Sequence, residues 1–135
     1  SFPLVTNQVE VSLLQLYALH DGTLDQCQEK KVTPLAWSPL GAGLLGSGGV
    51  DLLPGQRHYD PTAVLAVLDR IAKERGVARE LVALAWILKH PARIVPIIGT
   101  TQPEQIKQLA AAAELELTRE EWYHLVTAAR GAEMP

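Results

Sequence analysis

The sequence holds a single cysteine, Cys27, among 135 residues. No disulfide can form within the chain, which excludes a cystine-stapled scaffold and points to a reducing compartment. Nowhere does an apolar run approach the roughly 20 residues that cross a bilayer. The opening Ser-Phe-Pro-Leu-Val also lacks the basic start of a signal peptide. Positive charge is scarce: 12 Lys and Arg stand against 15 Asp and Glu, a net −3. That balance removes any electrostatic reason to expect DNA, RNA or an anionic membrane as a partner. The four histidines, His20, His58, His90 and His124, form no i,i+4 pair of the kind that holds a metal on a helix. A soluble, cytoplasmic protein without a metal site is the expectation.

Apolar residues are not scarce. They make up 47% of the chain against 20% charged, a composition that builds a core rather than a disordered tail. A chain of this length is expected to form one domain, 1–135, able to bury about two thirds of its unfolded surface.

The most informative stretch is Ile94 to Ile106, Ile-Val-Pro-Ile-Ile-Gly-Thr-Thr-Gln-Pro-Glu-Gln-Ile. Its near-continuous apolar start, Ile94 to Ile98, predicts a strand buried on both faces of a parallel sheet. Its end predicts a helix running to about Ala113, with Thr101 three residues before Glu104 and Pro103 in the first turn. Gly99 and Thr100 form the turn between them. The free N–H groups and positive end of the following helix would suit a phosphate there. On the residues alone, an ordinary strand-to-helix connection with no ligand remains equally open.

Leu4 to Val11 reads as a strand that passes into polar Asn7 and Gln8. Such side chains are either ligand contacts at a strand end or simply a strand leaving the core. Ser12 to Leu19 predicts loop and a turn of helix. A helix from Asp21 or Thr23 to about Lys31 follows, with Leu24 and Cys27 facing inward and Cys27 read as packing rather than as a nucleophile.

A second strand, Val32 to Trp37, runs into Ser38-Pro39-Leu40-Gly41-Ala42-Gly43. Trp37 is open to two readings, a flat ligand stacked on it or a filler at the rim of the core. Glycines continue through Gly48, Gly49 and Gly55, and a loop this long without periodicity tends to be functional or mobile. Asp60 and Pro61 predict an N-cap and first helical residue for Thr62 to Arg75, which Gly76 ends. A helix from Arg79 to His90 packs Leu81, Leu84, Ala85, Ile87 and Leu88, with Trp86 beside them. Thr118 and Glu121 predict a capping box for a last helix carrying Trp122, Leu125 and Val126. Strands alternating with helices imply an α/β fold with a parallel sheet. Three strands are few for such a sheet, and a (β/α)8 barrel is about twice this length.

Thr6-Asn-Gln-Val-Glu10, Thr33-Pro-Leu-Ala-Trp-Ser-Pro-Leu-Gly41, Ala83-Leu-Ala-Trp-Ile-Leu88 and Pro96-Ile-Ile-Gly-Thr-Thr-Gln-Pro-Glu104 resemble, in order and spacing, the C-terminal part of an aldo-keto reductase. With the Trp122 helix they are most similar to the YdhF-like bacterial oxidoreductases of that superfamily. The resemblance implies a partial (β/α)8 TIM barrel, this chain supplying the last three strands with their helices. It also implies NADPH-dependent reduction of small aldehydes or ketones, with NAD possible. Carried over by position, Gln8 would hydrogen-bond the nicotinamide carboxamide and Trp37 would stack on its ring. Ser38, Pro39, Leu40 and Gly41 would track the pyrophosphate. Ile98, Gly99 and Thr100 would hold the adenosine phosphate end.

Many members of the family carry a lysine near Gly99 and an arginine at the position of Gln105; here neither charge is present. The catalytic tyrosine and its aspartate, lysine and histidine partners come, in that family, from earlier strands. Tyr17, Tyr59 and Tyr123 do not sit in that motif, so no catalytic residue is assigned. Two functions follow: the cofactor-binding fragment of a reductase, inactive alone, or a non-catalytic half-barrel that self-associates with at most residual nucleotide binding.

Overall fold

The computed structural model describes residues 4–47, 60–100 and 102–131. Its elements follow in the order β1 (Thr6–Glu10), α1 (Tyr17–His20), α2 (Thr23–Lys30), β2 (Thr33–Trp37), α3 (Thr62–Arg75), α4 (Arg79–Leu88), β3 (Val95–Pro96), α5 (Pro103–Ala110), a 3-10 turn (Ala111–Glu114) and α6 (Arg119–Arg130). The three strands form one parallel sheet in the order β1-β2-β3. Thr6 to Glu10 pair with Thr33 to Trp37, and Leu35 and Ala36 pair with Val95 and Pro96. The α/β class and parallel sheet are as the alternation of patterns predicts.

Alternation along a strand divides the sheet into two unlike faces. On one face lie Val9, Pro34 and Ala36, the last two buried, packed against the core with Ile94. That face is covered by helices, α2 against β2 and α4 against β3. The other carries Thr6, Gln8, Leu35, Trp37, Val95 and Ile97; Leu35 is half-buried, but Trp37 is 43% exposed, Val95 47% and Ile97 39%. The expectation of a strand buried on both faces at Ile94 to Ile98 is therefore corrected. Only Val95–Pro96 is strand, extended by the Ile97 N–H donating to the Ala36 carbonyl at 2.9 Å, and nothing among the described residues covers the second face.

Away from the sheet, α3 packs on α4 and α6 through Val64, Leu68, Ile71, Val82, Trp86 and Leu125. The α3 helix occupies the predicted span, and Gly76, at φ +68°, closes it in the left-handed conformation that glycine adopts without strain. Its start differs by one residue. Pro61 takes the cap position, where it has no side-chain acceptor, and Asp60 behind it accepts from the Thr62 N–H at 3.1 Å and the Thr62 hydroxyl at 2.6 Å. The α4 helix is apolar nearly all round, with every residue from Leu81 to Ile87 buried, yet it ends at Leu88 rather than His90 and leaves Leu88 exposed. Pro91 lies close beyond that end, and the residues before a proline are pushed away from helical geometry.

Thr118 and Glu121 form the predicted capping box at the start of α6. Glu121 also receives the Arg75 guanidinium, whose Nε donates to Oε2 at 3.1 Å, so one carboxylate caps α6 and ties it to α3. The α5 helix stops at Ala110 and passes into the 3-10 turn, earlier than the predicted Ala113. Its predicted cap, Thr101, lies outside the described residues, and Gln102 holds the cap position without a side-chain bond. Gly48, Gly49, Gly55, His58 and Tyr59, singled out in the sequence, also lie outside them.

Candidate functional site

The loop leaving β2 is where the backbone departs most from ordinary geometry. Ser38 and Ala42 both have positive φ, +52° and +57°, conformations that non-glycine residues adopt rarely and that concentrate at functional loops. The loop is held by its own bonds. Ser38 Oγ accepts the Ala42 N–H at 2.9 Å, and the Ser38 carbonyl accepts the Gly41 N–H at 2.9 Å. Its far end is anchored on α4, where Arg79 Nη1 donates to the Gly46 carbonyl at 3.2 Å while its guanidinium also grips both oxygens of Asp69. The Ser47 hydroxyl donates to Glu80 one residue along.

The turn after β3 faces this loop. Thr100 Oγ1 donates to Gln105 Oε1 at 2.6 Å and accepts the Gln102 N–H at 3.2 Å, which joins the turn to the first turn of α5. Between loop and turn lies a cleft of about 550 Å³. Leu84, Ile97, Ile98 and Leu109 give it apolar walls; Ser38, Thr100, Gln102 and Gln105 give it neutral polar groups. A methyl group added at Gly99 would meet nothing within 4 Å, so the backbone there stands open to an occupant.

Seven of the ten residues singled out in the sequence line this one cleft: Ser38, Pro39, Leu40, Ile98, Gly99, Thr100 and Gln105. Three do not. Gln8 and Trp37 lie on the open face of the sheet, where the register sets Gln8 beside Leu35, two residues before Trp37. Gly41 is buried beneath the loop at φ +61°, and a side chain there would meet Leu14 Cδ1 at 2.6 Å. Its part is to let the loop turn, not to touch an occupant.

Ala42, Gly43, Leu84, Ile97, Gln102 and Leu109 also line the cleft and were not singled out. Ala42 and Gly43 continue the glycine loop and Gln102 precedes Pro103, so a local signal existed for these. Leu84 and Leu109 read as ordinary core positions of their helices and carry none.

No Asp, Glu, His, Lys, Arg or Tyr is among the described residues lining the cleft. Tyr17 is 70% exposed on α1, and Tyr123 stands edge-on to Trp122 on α6. His90 is half-buried, and burial holds its imidazole below the ordinary histidine range while Nδ1 accepts the Ala92 N–H at 3.0 Å. No group of three or more His, Cys, Asp or Glu among the described residues is placed to hold a metal ion. No described helix is long and apolar enough to cross a membrane. What the arrangement offers is neutral hydrogen bonding and apolar walls for a partly apolar ligand, with no ionisable proton donor among the described residues lining it.

A parallel α/β sheet with a ligand-sized cleft built from the loops after its strands is the layout of enzymes that bind at the C-terminal ends of their strands. Residues 1–129 match the model of the Aldo/keto reductase family, and the chain belongs to that family. It is 46% identical over 131 residues to 6-dehydroglucose reductase of Agrobacterium fabrum, covering 97% of this chain and 40% of that protein. To the oxidoreductase YdhF of Escherichia coli it is 38% identical over 136 residues, covering 99% of this chain and 42% of that one. Among solved structures it is similar to the thermostable aldo-keto reductase Tm1743, crystallised with the inhibitor epalrestat, with a TM-score of 0.74 at 28% identity over 93% of this chain and 40% of that one. The chain thus spans about two fifths of the length of the relatives it matches.

Proposed function

We propose that this chain is the cofactor-binding, C-terminal part of an NAD(P)H-dependent carbonyl reductase of the aldo-keto reductase family, its three strands forming part of a (β/α)8 barrel. The observation that carries this reading is the single cleft shared by Ser38 to Leu40 and by Ile98 to Thr100 with Gln105. The family resemblance assigns the first segment to the pyrophosphate and the second to the adenosine phosphate end of one dinucleotide. The cleft residues fit such a group: Gly99 opens onto free space, the walls combine apolar and neutral polar groups, and the first turn of α5 has N–H groups without helical partners.

On this reading Ser38, Pro39 and Leu40 with Ala42 and Gly43 cradle the pyrophosphate through a loop that Gly41 allows to turn. Ile98, Gly99 and Thr100 with Gln105 hold the adenosine end. Gln8 and Trp37, on the open sheet face, orient the nicotinamide by hydrogen bonding and stacking. A bound reduced nicotinamide would supply the hydride for an aldehyde or ketone. No described residue of the cleft can protonate the resulting alkoxide, so we assign the acid to the part of the barrel that precedes this chain in its relatives. The free Cys27 is consistent with a cytoplasmic enzyme. Titration with NADH and NADPH, followed by tryptophan fluorescence, tests the binding; absence of any quenching would sink it. Joining this chain to the preceding barrel strands should restore carbonyl reduction.

A second reading, a half-barrel that self-associates, is favoured by the exposed Trp37, Val95 and Ile97 on one sheet face and by the edge positions of β1 and β3. A chain that scatters light as a well-folded monomer and binds no hydrophobic dye would count against it.

A further inference from the structure

We infer that Arg79, forked onto Asp69, is a positioning residue for the cleft: by holding the Gly46 carbonyl it fixes the loop that carries Leu40 and Gly43. This rests on the cofactor reading above and adds to it a control exerted from outside the cleft.

Arg79 is the first residue of α4, at the positive end of the helix, where a cation is disfavoured. Helix formation does not explain an arginine there; its two partners do. Nε donates to Asp69 Oδ1 at 2.7 Å and Nη2 to Asp69 Oδ2 at 2.8 Å, a bidentate pair that fixes the plane of the guanidinium. The remaining nitrogen, Nη1, is thereby aimed at the Gly46 carbonyl, 3.2 Å away. Asp69 lies on α3, so one planar side chain joins α3, α4 and the loop after β2.

From Gly46 the constraint reaches the cleft in short steps. The Gly46 N–H donates to the Gly43 carbonyl at 3.0 Å, and the neighbouring Leu45 N–H donates to the Leu40 carbonyl at 3.0 Å. Gly43 and Leu40 both line the cleft, while the fully buried Leu45 seats the stretch between them and Gly46 in the core. The ion pair itself adds little stability, because Asp69 is half-exposed and water can replace the guanidinium at its acceptors. Orientation is what the fork supplies. A loop already held in its bound shape takes a ligand without first having to be ordered.

Two variants separate positioning from a plain ion pair. Arg79→Met removes the fork. Arg79→Lys keeps a charge for Asp69 but has no planar fork to grip both carboxylate oxygens while reaching the Gly46 carbonyl. Each intact chain is titrated calorimetrically with NADH and NADPH, unfolded in urea, and followed by amide hydrogen exchange. In both variants the urea midpoint should barely move. Affinity for whichever dinucleotide the wild-type chain binds should fall about tenfold. Exchange at the Leu45 and Gly46 N–H groups should speed up about tenfold, while Leu125 and Val126 on α6 keep their protection. An Arg79→Met chain that binds as tightly as wild type would overturn the inference and leave the cofactor reading standing. So would a loss of affinity without faster exchange, since the effect would then lie outside the loop. Full affinity in Arg79→Lys would overturn the role given to the fork. Wild-type chain that binds neither dinucleotide would overturn the cofactor reading, and the inference with it.

Discussion

The Thr100 hydroxyl donates to Gln105 Oε1 across 2.6 Å while its oxygen accepts the Gln102 N–H at 3.2 Å, so one side chain ties the turn after β3 to the first turn of α5. Thr100→Val keeps the shape and removes both bonds. It should lower stability by about 1 kcal/mol, the usual net worth of such bonds. Nucleotide affinity should fall more than stability does, because Gln105 loses its fixed orientation; a titration beside a urea unfolding curve separates the two effects.

Trp37 is 43% exposed, whereas Trp86 and Trp122 stack on each other with ring centroids 5.4 Å apart and 16° between planes. Trp37→Phe should therefore change stability by no more than about 0.5 kcal/mol. If the nicotinamide stacks there, the variant should lose most of the fluorescence quenching seen on cofactor addition. Quenching that survives intact would assign the signal elsewhere.

Gly41 combines φ +61° with a place under the loop that a methyl group can enter only by pushing Leu14 Cδ1, 2.6 Å away. Gly41→Ala should cost about 1–2 kcal/mol from the left-handed backbone alone. Leu14 can give way at its far end, so adding Leu14→Ala should recover only a minor part. The urea midpoints of the single and double variants decide between backbone and packing as the cause.

Trp86 is buried with its Nε1 lacking a hydrogen-bond partner among the described residues, while its carbonyl accepts from Trp122 Nε1 at 2.9 Å. Trp86→Ala should cost about 3–5 kcal/mol as a core cavity opens. Trp86→Phe removes the unsatisfied N–H along with some ring area, so its cost should be well below that; thermal unfolding of the pair checks the ordering.

Acid should weaken the chain in two stages. Burial lowers the His90 pKa below its ordinary 6.5, so the unfolded chain binds that proton first and stability declines as pH falls below about 6.5. Arg75, through its hydrogen bond, holds the Glu121 carboxyl at about 2, below its ordinary 4.5. That contribution is complete above pH 4.5 and is lost as pH falls towards 2. Glu121→Gln keeps an acceptor for the capping box but removes the charge, and should flatten the lower stage only. Urea midpoints measured at intervals down to pH 2.5 would show it.

Much of this was legible in the residues because it depends on neighbours in sequence. Gly76 ends α3, Thr118 and Glu121 cap α6, and Leu24 and Cys27 face inward one helical turn apart, all through local geometry. The two halves of the cleft were legible for the same reason: a Ser-Pro-Leu-Gly turn and an Ile-Gly-Thr turn each announce a strand passing into something that must bend.

Tertiary structure alone decided the rest. Ile94 to Ile98 is apolar enough for a strand buried on both sides, but burial is a property of what packs against a strand, and nothing described packs on the face of Val95 and Ile97. Gly41 looked like a phosphate-tracking glycine, yet the fold of its own loop turned it inward against Leu14. Leu84 and Leu109 sit on two separate helices and became cleft walls only when α4 and α5 came together. Local propensity sets which way a segment bends; which surface ends up inside, and which opens onto a ligand, is set by partners that the segment itself does not encode.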